Sequence, residues 1–179
     1  IALITDAGTP GISDPGEELV KMCYEAGIEV TSLPGPAACI TALTLSGLPT
    51  RRFAFEAFLP SDKKERQAVL KELVDETRTI ILYEAPHRLC ETMAELCDCL
   101  GEKRLVALTK ELTKLNENVE LLTIAQAQAM LEQTPPRGEY VLVVEGLSEY
   151  SARLPEENKN QDEVGNATAN ISVTTLSDS

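Results

Sequence analysis

The chain has 179 residues, of which 43% are hydrophobic and 25% are charged, and its 29 acidic and 16 basic residues give a net charge of −13. This composition is sufficient to bury a hydrophobic core. No apolar run approaches the roughly 18 residues of a membrane-spanning helix, and the N-terminus has no signal-peptide pattern. We therefore expect a globular cytoplasmic protein with no membrane partner. The five cysteines include no CxxC pair, which predicts free thiols and no metal site.

Short apolar segments alternate with amphipathic segments along the chain, which predicts an α/β fold. Strands are expected at 2–5, 28–33, 53–58, 79–83, 104–109, 119–122 and 140–145, and helices at about 16–26, 36–46, 62–76, 87–100 and 123–133. Gly27, Gly47 and Gly101 stand where three of the helices should end, and Ser61 stands where one should begin.

The best candidate for a domain boundary is GLPTRRF at 47–53, where a predicted helix ends and a new series of strands begins. We expect residues 1–50 to form the C-terminal part of a first α/β domain and residues 51–147 to form a second one. Residues 148–179 contain few large apolar side chains, which is typical of a polar linker or a disordered tail.

A glycine-rich loop, ITDAGTPGISDPG, occupies residues 4–16 between a predicted strand and a predicted helix. Such a loop brings backbone N–H groups close to a ligand, and it is longer than the usual connection of about 2–6 residues. The loop has neither GxxxxGK[ST] nor GxGxxG, and Asp6 and Asp14 would repel a phosphate. Their carboxylates suit ribose hydroxyls or an ammonium group, unless they only hold the loop's own amides.

A second loop of this type, LPGPAA, occupies residues 33–38 before the next predicted helix. Pro34, Gly35 and Pro36 constrain the approach of the chain to that helix. Ala37 and Ala38 leave room for a flat ligand beside the helix start. Because both loops follow neighbouring predicted strands, we expect them to meet at the carboxyl edge of one sheet.

The motif YEAPHR contains Glu84, His87 and Arg88 at the end of a predicted strand. His87 is the only histidine of the chain, and it either caps or packs on the following helix or contacts a substrate. Arg88 is expected to hold a phosphate or Glu84 rather than to act chemically.

The motif KELTKLNE contains Lys110, Glu111, Lys114 and Glu117. The two lysines are four residues apart, as on one face of a helix, but the segment directly follows a strand and could be an irregular loop. The charges form either a solvated surface or the substrate side of a site.

Six motifs in this order resemble the RsmI family, the bacterial 16S rRNA (cytidine-2'-O)-methyltransferases of the tetrapyrrole methylase superfamily. They are ITDAGTPGISDPG, LPGPAA, GLPT, YEAPHR, KELTKLNE and GEYVLVVEG. The resemblance covers residues 1–147, lacks the family's N-terminal strand and its TPIGNL-type loop, and has Asn116 where His or Tyr is common. It implies two α/β domains with a cofactor cleft between them, the first domain being truncated.

The resemblance also implies S-adenosylmethionine as cofactor, 16S rRNA in the small ribosomal subunit as substrate, a homodimer, and no DNA partner. The residues expected to bind the cofactor are Asp6, Ala7, Gly8, Thr9, Ile12, Pro34, Gly35, Ala37, Ala38, Glu84 and Gly138. Arg88 and Glu117 are expected to bind substrate. The expected catalytic residues are His87, Lys110, Glu111 and Lys114, since a ribose hydroxyl needs a proton acceptor or a nearby cation.

The negative charge of the chain opposes RNA binding, which relies on neutralising phosphates. Residues 155–179 hold five acidic residues and one lysine, so the rest of the chain still has a net charge of about −9. An assembled subunit is therefore a more plausible substrate than naked RNA. Two alternatives stay open, namely a tetrapyrrole methyltransferase of the same superfamily and a non-catalytic ligand-binding module.

Overall fold

The computed structural model describes residues 1–154, which form six helices and five strands. In chain order these are α1 (Glu17–Glu25), α2 (Ala38–Leu45), β1 (Phe53–Phe58), α3 (Lys63–Val74), β2 (Thr79–Glu84), α4 (Pro86–Leu100), β3 (Leu105–Lys110), β4 (Asn118–Thr123), α5 (Ile124–Gln133), β5 (Tyr140–Val144) and α6 (Leu147–Arg153). Within the described range, every helix is too short or too polar to cross a membrane.

The five strands form one mixed sheet in the order β1-β2-β5-β3-β4. Strands β1 and β2 are parallel, and β5 is antiparallel to both of its neighbours, β2 and β3. Consequently β1, β2 and β3 run in the same direction, and their carboxyl ends meet at one edge of the sheet. We call this the carboxyl edge, and it is formed by Phe58, Glu84, Lys110, Asn118 and Tyr140.

Helices cover both faces of the sheet. On one side, which we call the three-helix face, α3, α4 and α5 bury the main core, whose members include Leu73, Leu82, Met93, Leu108, Ile124 and Leu142. On the other side, the α2 face, α2 buries a smaller core that includes Cys39, Leu43, Ile81, Ala107 and Val143. Strand β5 is buried along its whole length because it lies between these two layers.

Five of the seven predicted strands are confirmed within a residue or two, and all five predicted helices are found. The strands predicted at 2–5 and 28–33 are wrong. Both segments are largely open to solvent, with Ile4 85% and Leu33 83% exposed. An apolar run forms a strand only when a neighbouring strand hydrogen-bonds to it, and neither segment has such a neighbour in the described part of the chain.

A buried ionic network links α6 to the sheet. The carboxylate of Glu145, which is fully buried, accepts hydrogen bonds from Arg153 at 2.9 and 2.8 Å and from the Leu105 N–H at 3.0 Å. The guanidinium groups of Arg104 and Arg153 both lie over the Tyr150 ring, at 5.4 and 5.6 Å from its centroid. Residues 148–153, predicted to begin a linker or tail, belong to helix α6. The rest of that predicted segment, from 155 to 179, lies outside the described residues.

We predict that Glu145→Gln lowers the free energy of unfolding by roughly 2–3 kcal/mol, because it leaves the Arg153 charge without its buried partner. Urea unfolding monitored by circular dichroism measures this change. Glu149→Gln on the exposed side of α6 is the matched control and should change stability by less than about 0.5 kcal/mol. Equal midpoints for the two variants would contradict the prediction.

Candidate functional site

The structure brings the two glycine-rich loops into contact. The Thr9 hydroxyl of the first loop donates a hydrogen bond of 2.9 Å to the carbonyl of Pro36 in the second. The backbone of Gly35 also approaches Thr9 closely, since a Cβ at Gly35 would lie 3.3 Å from Thr9 Oγ1. Small residues at this junction therefore allow one loop to rest on the other, and together they form one surface.

The side chains of the first loop divide into internal and open groups. Asp14 accepts a hydrogen bond of 3.2 Å from the Thr5 hydroxyl, so this carboxylate serves the loop itself. Asp6, Ala7 and Ile12 are exposed, and 48% of Ile12 is accessible. The open part of the loop thus offers one carboxylate and an apolar side chain to a ligand.

Tyr83 links the second loop to the sheet. Its hydroxyl accepts a hydrogen bond of 3.0 Å from the N–H of Cys39 in the first turn of α2, directly after Ala37 and Ala38. Burial, together with the interaction with Cys39, raises the pKa of Tyr83 to about 12, so the hydroxyl stays neutral. Because Tyr83 is the penultimate residue of β2, this bond holds both loops beside the carboxyl edge, on the α2 face.

An exposed aromatic side chain, Phe58, lies beside Tyr83 at the same edge. The register between β1 and β2 shifts between Phe55 and Ala57, and Ala57 has a left-handed φ of 53°. The shift places Phe58 next to Tyr83, with ring centroids 5.6 Å apart, and leaves it 50% exposed. Sequence reasoning missed this residue, because regular alternation along FAFEAF would turn Phe58 away from Phe55.

A network of one lysine and two carboxylates closes the loop that follows β3. The Lys114 ammonium lies 3.2 Å from Glu111 Oε1 and 2.9 Å from Glu139 Oε2, and the Glu139 N–H donates to Glu111 at 2.8 Å. Gly138, with φ of 89°, is needed here because a Cβ would lie 2.6 Å from the Glu111 carboxylate. Two of the predicted catalytic residues, Glu111 and Lys114, are therefore together beside Gly138.

Electrostatics keep both members of this pair charged. The hydrogen bond from the Glu139 backbone, followed by that from Lys114, lowers the pKa of Glu111. The two carboxylates raise the pKa of Lys114. Neither residue is consequently suited to take a proton near neutral pH, and their common role is to present a fixed ammonium group.

The segment from 111 to 117 is an irregular loop rather than a helix, as one of the two sequence interpretations proposed. Glu117 accepts a hydrogen bond of 2.6 Å from the N–H of Thr113, which has a left-handed φ of 65°. Glu117 thus stabilises the turn. Lys110 forms no ion pair with this network, although its charge helps to lower the pKa of Glu111. Its side chain lines a cleft on the three-helix face together with Leu108 and Tyr140.

Glu84 points away from the loops. Its buried carboxylate lies on the three-helix face, where it accepts hydrogen bonds from the Thr92 hydroxyl at 2.5 Å and from the Ala85 N–H at 2.8 Å. Thr92 in turn accepts a bond of 2.7 Å from Arg66. The structure therefore places Glu84 in a chain of internal polar contacts between β2, α3 and α4, and its predicted contact with a cofactor stays a prediction.

The two remaining residues of YEAPHR differ in their surroundings. Arg88 donates to the Leu59 carbonyl at 2.9 Å, and its Nε lies 3.7 Å from Glu84, so it joins the end of β1 to the start of α4. His87 is exposed in the first turn of α4, and its ring makes no hydrogen bond or ion pair within residues 1–154. Of this motif, His87 is the side chain that remains open to a substrate.

Comparison with known proteins defines the class of this fold and site. Residues 1–128 match the family model described as tetrapyrrole (corrin/porphyrin) methylases. This match covers more than half of the chain, so the protein belongs to that family.

Relatives in sequence point to a narrower group. The chain is 51% identical to the ribosomal RNA small subunit methyltransferase I of Synechocystis sp. over 148 residues. This alignment covers 83% of the chain and 53% of the relative. The chain is 46% identical over 157 residues to the protein of that name from Escherichia coli O157:H7, which covers 87% of the chain and 55% of the relative. The chain spans about half the length of these curated relatives. The resemblance inferred from the motifs is confirmed.

Solved structures agree on the fold. The chain is 18% identical to the methyltransferase CobJ, with a TM-score of 0.59 over 78% of the chain and 62% of CobJ. A uroporphyrin-III-C-methyltransferase from Thermus thermophilus is 22% identical, with a TM-score of 0.55 over 83% of the chain and 66% of that protein. At these identities the likeness concerns the fold, and it confirms the predicted α/β fold of the tetrapyrrole-methylase type. The predicted domain limits stay predictions.

We predict that the carboxyl pKa of Glu111, followed by carbon-detected NMR, lies below its ordinary value of 4.5 and rises part of the way towards it in Lys114→Met. The rise is partial because the hydrogen bond from the Glu139 backbone remains. Since folding lowers this pKa, the stabilisation is present above pH 4.5 and is lost as the pH falls through the lowered value. Lys63→Met on α3 is the control, and an unchanged Glu111 pKa in Lys114→Met would refute the assignment.

Proposed function

We propose that the protein is an S-adenosylmethionine-dependent methyltransferase that methylates the ribose 2'-hydroxyl of a cytidine in 16S rRNA. The observation that supports it most directly is the identity of 41–51% to relatives named ribosomal RNA small subunit methyltransferase I, over more than 80% of this chain. Tetrapyrrole methylation is less well supported, because the structures with such names share 22% identity or less with this chain.

The joined loops fit S-adenosylmethionine in their chemistry. The cofactor has a carboxylate, an ammonium group, ribose hydroxyls and an adenine ring. The exposed carboxylate of Asp6 suits its cationic or hydroxyl groups, and the apolar Ile12 suits packing against it. At the start of α2 the N–H groups of Cys39, Ile40 and Thr41 are already bonded, to the Tyr83 hydroxyl and the Ala37 carbonyl, so within residues 1–154 the N–H of Ala38 is the one of this first turn left for an acceptor. Ala7, Gly8, Thr9, Pro34, Gly35 and Ala38 are the other residues that we assign to this surface.

The cofactor supplies an electrophilic methyl group, and the protein's task is to align the ribose hydroxyl with it. Lys114 has three ammonium N–H groups and gives two of them to Glu111 and Glu139, so the third can donate to the ribose oxygen as the hydroxyl loses its proton. Of the four predicted catalytic residues, His87 is exposed and its imidazole ring makes no hydrogen bond within residues 1–154, so we assign the proton acceptor to it. Arg88 and Glu117 support this site by holding its loops.

The charge distribution supports an assembled small ribosomal subunit as substrate. Even the positive charge of Lys114 is balanced by two neighbouring carboxylates, so the site has little net attraction for bare RNA. Folded rRNA can instead present the target nucleotide to the carboxyl edge. A homodimer and a cytoplasmic location remain parts of this proposal.

We predict that Thr9→Val weakens the binding of S-adenosylhomocysteine about fivefold, because it removes the hydrogen bond between the two loops, worth about 1 kcal/mol. Isothermal titration calorimetry on the purified protein measures the affinity. Thr9→Ser should keep most of it, and Thr44→Val, which removes a hydroxyl bonded within α2, is the matched control. An unchanged affinity in Thr9→Val would contradict the proposal that the contact between the two loops supports cofactor binding.

We predict that the protein transfers labelled methyl groups to small ribosomal subunits that lack the modification, and only weakly to naked 16S rRNA. Reverse-transcription stops should map the label to the ribose of a cytidine. A label on a base or on a tetrapyrrole would overturn the assignment. Binding of S-adenosylhomocysteine without any transfer would favour a non-catalytic module.

A further inference from the structure

A cleft of about 260 Å³ opens on the three-helix face at the carboxyl edge. Its apolar walls are Leu108, Met130, Leu131, Pro135 and Tyr140. Lys110, Asn118, Glu120 and Thr134 supply polar groups. The cleft is slightly smaller than the sites of drug-sized ligands, which begin at about 300 Å³, so its volume suits a ligand of about one ring.

The charged side chains of the cleft face one another without pairing. Lys110 lies opposite Asn118 in the β3–β4 register, and Glu120 lies two residues further along β4 on the same face. This diagonal is within reach of long side chains, yet Lys110 and Glu120 form no ion pair. Instead Glu120 accepts a bond of 2.6 Å from the Asn118 amide, and the Lys110 ammonium donates no hydrogen bond within residues 1–154. The cleft therefore presents a donor and an acceptor to whatever lies between them.

This arrangement selects a class of ligand. A phosphate would be repelled by Glu120, and a purely apolar group would offer no acceptor to the Lys110 ammonium and no donor to the second oxygen of Glu120. A neutral ring with a donor and an acceptor along one side can bind Glu120 and Lys110 at once. A nucleobase is such a ring. Carboxylates accept from the amino group of cytosine, and an ammonium group donates to its ring acceptors.

The cleft is also in the right place relative to the loops. Lys110 is the last residue of β3, and Glu111 of the ionic network follows it directly. The joined loops lie at the same edge but on the opposite face, where Tyr83 holds them. A ribose attached to a base in the cleft would thus stand at the edge, between the cleft and the loops.

We propose that this cleft binds the base of the methylated nucleotide, with Glu120 accepting from the amino group of cytosine and Lys110 donating to its carbonyl or ring nitrogen. The proposal rests on the proposed function above. It requires the target base to be unstacked from its neighbours and flipped into the cleft, as in other enzymes that act on single nucleotides.

The test changes two partners, the base at the methylated position of the subunit and the side chain at Glu120. Small subunits with cytidine or uridine at the methylated position are compared as substrates for the wild type, Glu120→Gln, and the control Glu132→Gln, an exposed residue of α5. Glu120→Gln should lower kcat/KM on cytidine subunits at least tenfold and raise it on uridine subunits, because the new amide donates to the uracil carbonyl. Glu132→Gln should match the wild type. Equal changes on both subunits, or none, would overturn the proposal.

A second measurement separates this proposal from the proposed function. Cytidine alone is added to the protein, and the side-chain amide signal of Asn118 and the methyl signal of Met130 are followed by NMR. Saturable shifts that Glu120→Gln abolishes support binding of the base in the cleft. If such shifts occur but no subunit is methylated, the proposed function is refuted and the binding in the cleft is not. Methylation of subunits with no such shifts, and with no change of base preference in Glu120→Gln, refutes the cleft and leaves the function intact.

Discussion

The position of β5, antiparallel between β2 and β3, governs the arrangement of the whole site. Because Tyr140 pairs with both Glu84 and Lys110, the ends of β2 and β3 lie level with each other at the carboxyl edge. Successive residues of a strand point to opposite faces, so the edge distributes its side chains in alternation. Tyr83 reaches the α2 face and the glycine-rich loops, whereas Glu84 and Lys110 reach the three-helix face.

Several basic side chains of this acidic protein are neutralised locally. Lys114 is balanced by two carboxylates, Arg153 by Glu145, and Arg66 by Glu95. Such pairs fix side chains and loops rather than creating a long-range field for RNA. If the proposed function is right, recognition of rRNA relies on shape and on individual contacts at the carboxyl edge, which agrees with a target presented by folded rRNA.

Sequence reasoning predicted those elements whose signals are local. Helix α5 begins where Thr123 forms a capping box with Gln126, and β1 was predicted to the residue from its apolar pattern. The strand predictions for 2–5 and 28–33 are wrong because an apolar segment forms a strand only beside another strand, and the apolar pattern does not show whether that neighbour exists. The bulge at Ala57 and the nucleobase-sized cleft depend on register and on residues far apart in the chain, so no local signal indicates them.

The adjacency of Lys110 and Glu111 affects how variants of this segment are interpreted. The two residues are neighbours in sequence, yet the first lines the cleft and the second holds Lys114 at the edge. A loss of activity in a Lys110 variant therefore fits both proton transfer and base recognition. Proton transfer acts on the ribose hydroxyl, which is the same in every nucleotide, so its loss lowers kcat equally for all bases. Base recognition acts before that step, and its loss depends on which base is offered. The base dependence of the defect, rather than its size, identifies which face of the strand has been disturbed.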